Sequence, residues 1–104
     1  MDLKRYHKVQ ELILDMEKFR GEYENSYVFE ILEAKIEDVE FEEEEADTPR
    51  AAENAALLDA AADLTDEIVD MIEEGISMEF PKDAFEKAVD RKLEEALENL
   101  RQVR

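Results

Sequence analysis

The 104-residue sequence contains no cysteine and no tryptophan, and only one histidine, two glycines and two prolines. Without cysteine there can be no disulfide, thiolate metal site or thiol nucleophile. His7 alone cannot supply a metal centre that needs two or more imidazoles from one chain. No apolar run exceeds four residues, so no segment reads as membrane-spanning, and the N-terminal stretch lacks the apolar core of a secretory signal. Bases are also scarce: 13 against 31 acids, for a net charge of -18. Nucleic-acid phosphates and anionic lipid would both repel such a chain, so neither is expected as a direct partner. A cytoplasmic location is the default expectation. Few glycines and prolines leave few turns, which points to long helices.

What is present is enough apolar sequence, 44%, for a single core in a chain of ordinary domain size. Hydrophobic periodicity marks four helices in one all-helical domain, 1–104. In the first, about Asp2 to Arg20, Tyr6, Val9, Leu12, Ile13, Met16 and Phe19 share a face; Asp2 reads as N-cap and Gly21 as stop. The second, about Ser26 to Glu45, carries Val28, Leu32, Ile36 and Val39, with Phe29 and Ile31 flanking. The third opens with Thr48 as cap and Pro49 at the first helical position, buries Leu57, Leu58, Ala61, Leu64, Thr65, Ile68 and Ile72, and ends at Gly75. Alanines 51, 52, 55 and 56 form a small-residue patch near its start. After a connector, Ile76 to Phe80, the fourth begins at Pro81 or Lys82 and runs to near Arg104, with a seam of Phe85, Val89, Leu93, Ala96, Leu100 and Val103. The expected fold is all-α, an antiparallel four-helix up-down bundle. If the first two helices fuse through Gly21, the alternative is three long helices that complete a core by dimerising.

The charge is unevenly distributed. Residues 36–81 hold 17 acids and one base, Arg50, whereas residues 1–20 carry net +1 and residues 82–104 are neutral. The acids are also ordered at helical spacing. Glu30, Glu33, Glu37, Glu40 and Glu44 form one row on the second helix; Asp59, Asp63, Asp66, Asp70 and Glu73 or Glu74 form another on the third. Both rows are read as lying opposite the apolar stripes. Each like-charge i, i+4 pair costs a helix about 0.2–0.5 kcal/mol, and neither row has the interleaved lysines that would relieve it. A salt-adapted surface would be acidic throughout, whereas a simply solvated face that keeps the chain soluble stands beside a docking surface for a basic partner as a reading of these rows. The leading expectation is therefore a non-enzymatic interaction protein that docks a basic partner through Glu30, Glu33, Glu37, Glu40, Glu44, Asp59, Asp63, Asp66, Asp70 and Glu74. Its sharper form is a DNA mimic, with two acid rows in place of phosphates.

Other chemistry is sparse. No cofactor motif is present. Ser26, Thr48, Thr65 and Ser77 have no histidine partner but His7, which reads as solvated surface. Tyr6, Tyr23 and Tyr27 are read as a packing cluster, and Met71, Met78 and Phe80 as core closure or an adaptable patch. Glu42 to Glu45 with Asp47 could collect a divalent cation weakly. Finally, Glu37-x-x-Glu40 followed by Glu67-x-x-Asp70 resembles the Glu-x-x-Glu and Glu-x-x-Asp signature of all-helical MazG-type nucleotide pyrophosphohydrolases. That resemblance implies an alternative function: a magnesium-dependent enzyme whose carboxylates hold the ion over nucleotide phosphates, with Lys82, Lys87, Arg91 and Lys92 near them.

Overall fold

The computed structural model describes residues 1–78 and 81–104, with the backbone alone for 76–78. Among the described residues four helices follow one another: α1 (Leu3–Lys18), α2 (Tyr27–Glu44), α3 (Ala51–Met78) and α4 (Lys82–Gln102). They form an antiparallel up-down bundle. α1 and α3 each pack on α2 and α4, so α1 and α3 stand at opposite corners. Lys8 beside Glu42, Ser26 beside Glu73 and Asn54 beside Arg104 mark the antiparallel neighbours. The 28 residues of α3 span about 42 Å and set the length of a rod measuring 47 × 18 × 18 Å.

The expected start of α1 holds, while its last turn closes earlier than expected, at Lys18 with Phe19 as C-cap. Asp2 caps it by accepting a hydrogen bond from the Arg5 amide at 2.8 Å. Gly21, at φ 85°, takes the left-handed turn that separates α1 from α2, so the fused three-helix alternative does not apply. Asn25 steadies the start of α2, where its side-chain oxygen accepts from the Tyr27 amide.

The boundaries of α3 depart from the sequence reading at both ends. Thr48 does not cap the helix: its hydroxyl is buried without a hydrogen-bond partner among the described residues. Pro49 and Arg50 instead form a turn, and the helix starts at Ala51. Gly75 does not stop α3, which continues through it to Met78. The glycine answers a tertiary need. A Cβ at that position would lie 2.7 Å from a ring carbon of Phe85, so its absence lets α4 close on α3. Ile76 to Met78 therefore belong to the helix, while Glu79 and Phe80 of the expected connector lie outside the described residues.

The core is one cluster through all four helices, with Met16, Phe29, Ile36, Leu58, Ile68, Ile72, Leu93 and Leu97 fully buried. On α3 it includes Ala62 and Val69, while the expected Leu57 and Leu64 are half-buried at its edge. Val28 of α2 is likewise half-buried and Phe29 takes the central place. Two buried polar groups are satisfied. Thr65 donates to the Ala61 carbonyl at 2.7 Å. Asn54 donates to the Arg104 carbonyl at 2.7 Å and accepts from the Arg104 amide at 3.1 Å, pinning the end of α4 to the start of α3.

Glu43 is the exception. It continues the core line of α2 one turn past Val39 and is fully buried. Among the described residues neither of its oxygens accepts a hydrogen bond. Its cation is Arg5 of α1, with Nε 3.8 Å away. Removing the cation from a buried pair strands the charge, whereas replacing both partners with apolar groups removes the desolvation cost. Arg5→Met should lower stability by about 3 kcal/mol, and the double variant R5M/E43L should recover it to wild-type level or above in urea unfolding at neutral pH.

Gly75 gives a second test. Alanine favours a helix by about 1 kcal/mol over glycine, but crowding Phe85 costs about 1–3 kcal/mol. Gly75→Ala should therefore lower the melting temperature of the wild-type chain and raise it in a Phe85→Ala background.

Candidate functional site

Helix geometry places the acids of α2 in relation to its core line of Phe29, Leu32, Ile36 and Val39. Glu33 and Glu40 each follow a core residue by one position, about 100° round the helix, and this turns them toward α3. Both are half-buried. α3 answers in antiparallel register. Glu33 faces Asp66, and Glu40 faces Asp59. The pairing advances seven residues on each helix, and one further step back Ser26 donates to Glu73 at 3.4 Å. The two expected acid rows are thus not both turned away from the core. Their inner members meet along the α2–α3 junction, while Glu30, Glu37, Glu44, Asp63, Asp70 and Glu74 stay exposed beside it.

Like charges in one groove resist ionisation. Glu33 is pushed up to about 7, first by desolvation and then by the neighbouring charges of Asp66 and Glu37, with which its protonated form shares hydrogen bonds. Glu40 is pushed up to about 7 by desolvation, Asp59 and Glu44. Among the described residues no lysine or arginine bridges α2 to α3.

The cross-helix ion pairs lie on the other sides of the bundle. Arg20 pairs with Glu94 at 2.8 Å, and Arg101 holds both Glu17 at 2.7 Å and Glu94 at 3.0 Å. These guanidiniums hold the Glu94 carboxyl below its usual range. Lys8 pairs with Glu42 across α1 and α2. Tyr23, buried under the α1–α2 turn, donates a short hydrogen bond to Asp90, and desolvation raises its phenol to about 12.

Other expected groupings come apart. Glu67 turns to the far side of α3 and pairs with Lys92 at 3.1 Å, so the four carboxylates of the MazG-like pattern are divided between two grooves. Glu42, Glu43 and Glu44 point respectively to Lys8, into the core and toward Glu40, so the glutamate run does not converge. Among the described residues no group of three or more histidines or acids is arranged to hold a metal ion. The three tyrosines do not cluster: Tyr23 packs on Phe29, Tyr6 lies beside His7, and Tyr27 is exposed. Met71 is half-buried against the core, and the Met78 and Phe80 side chains lie outside the described residues. Of the alanine patch, Ala51 and Ala55 are buried; all four alanines line an open depression of about 660 Å³ at the end of the acidic groove, beside Glu40, Glu44 and Asp59.

Fold and site together define a class: a helical bundle with an acidic groove between two neighbouring helices that no cation bridges among the described residues. No protein-family model, curated protein or solved structure matches the chain.

The raised carboxyls fix a pH dependence. An unfolded glutamate titrates near 4.3, and Glu33 and Glu40 titrate at about 7 in the fold. Between those values the folded chain binds more protons than the unfolded one, so stability falls as pH rises. The melting temperature should drop between pH 5 and pH 8. In E33Q/E40Q that slope should flatten, with the variant melting above wild type at pH 8 and level with it at pH 5.

Proposed function

We propose that this chain is an acidic docking protein that takes a basic partner along the α2–α3 groove. The reading rests on one observation: inner acids of both helices face each other in register, with no cation between them among the described residues, while Arg20, Lys92 and Arg101 pair acids elsewhere. Glu30, Glu37, Glu44, Asp63, Asp70 and Glu74 widen the same negative surface on both helices. Such a field speeds encounter with a positive partner and fixes its orientation. Lysines or arginines entering the groove would relieve a repulsion that the fold carries alone, so binding and charge neutralisation reinforce each other. In its sharper form the partner is a nucleic-acid-binding protein, and the paired rows occupy the surface that otherwise holds phosphates.

Charge reversal tests the face apart from the net charge. D59K/D63K/D66K puts lysines beside Glu33 and Glu40. D83K/E95K/E98K makes the same net change at exposed positions of α4. In a low-salt capture from the source cell, the first variant should lose its basic partners at least tenfold while melting higher than wild type. The second should retain them. Duplex DNA should displace a partner held by mimicry. Equal retention by both variants would exclude the groove, and equal loss would reduce it to net charge.

A further inference from the structure

The face of α2 that points away from the core carries an apolar line interrupted by Asp38. Tyr27, Ile31, Ala34 and Phe41 fall on one line, spaced four, three and seven residues apart, and all are exposed. Tyr27 is 61% and Phe41 63% accessible, and Ile31 38%. The line is a heptad seam of the kind that receives a second helix, with Asp38 at the remaining position. From Tyr27 to Phe41 it runs about 21 Å, or four turns. Glu30, Glu37 and Glu44 border it on the side of the groove, also seven residues apart. Among the described residues none of these three pairs with a cation.

We propose that this outer seam of α2 is the docking surface for an amphipathic helix of another protein, whose apolar row is bordered by lysine or arginine. The assignment rests on the docking reading above and adds to it the form of the partner. Apolar side chains at heptad spacing call for a helix, since an extended strand repeats every two residues. The glutamate row calls for cations at the flanking positions, where interhelical ion pairs set partner choice. Asp38 within the seam calls for one more opposite it. A second copy of this chain is the wrong occupant, because it brings an identical glutamate row and another charge of -18.

Two fluorescein-labelled peptides of one composition and three heptads make the test. One has leucines at seam spacing flanked by lysines; the other is scrambled to remove the periodicity. Anisotropy at about 0.1 M salt, where charges beyond about 10 Å are screened, should show the periodic peptide binding wild type at least tenfold tighter. I31Q/F41Q should erase that difference and leave the scrambled peptide's affinity unchanged. Y27Q/F41Q, at the two most exposed large apolar side chains of the seam, should do the same, with circular dichroism confirming the fold. Equal binding of the two peptides by wild type, or no effect of either seam variant, overturns the seam and leaves the acidic groove standing. If D59K/D63K/D66K binds both peptides as tightly as wild type, the groove reading falls instead. A wild-type dimer that I31Q/F41Q converts to monomer in sedimentation also overturns the proposal, since a second copy then covers the seam.

Discussion

The packing of α2 against α3 imposes the constraint on which the rest depends. Two antiparallel helices that bury Leu32, Ile36 and Val39 against Leu58, Ile68 and Ile72 must bring the residues beside those stripes into register. In this chain those neighbours are acids on both helices. Apolar burial at about 25 cal/mol per Å² is large enough to hold them together, and the opposing repulsion appears as carboxyls that resist ionisation. The acidic groove is therefore a consequence of the core and is stabilised by it, at a cost the fold carries at neutral pH.

The same constraint explains where the bases are. With no cation bridging α2 and α3 among the described residues, cross-helix pairs draw on the N-terminal segment and α4, as Lys8–Glu42, Arg101–Glu17 and Lys92–Glu67 do. One side of the rod is a lattice of opposite charges and the other is a field of one sign. Exposed pairs of this kind contribute little stability, typically under about 1 kcal/mol each. Their consequence is an uneven distribution of charge across the bundle.

Much of the fold was legible in the sequence. Apolar residues at steps of three and four identified all four helices, and Asp2 and Gly21 marked the ends of the first for local reasons that survive folding. The misreadings were also local. Thr48-Pro49 has the chemistry of a helix start, yet the chain turns there and α3 begins two residues later. Gly75 has the chemistry of a helix stop, but its function is to leave room for Phe85, a residue that only packing brings near. Glu43 belongs to the glutamate run that reads as a weak cation collector, although its spacing from Ile36 and Val39 continues the buried line.

By itself the sequence determined the helix count, the single core, the uneven charge and the identity of every acid in the rows, because period, propensity and composition are properties of consecutive residues. Tertiary structure decided which acids meet. Glu33 faces Asp66 and Glu40 faces Asp59, while Glu67, one residue from Asp66, turns to Lys92 on the other side. A helical wheel gives the angle of each side chain about its own axis but not the rotation and register of one helix against another. Those are set by how Phe29, Leu32, Ile36 and Val39 interlock with the side chains of α3 across a close-packed core.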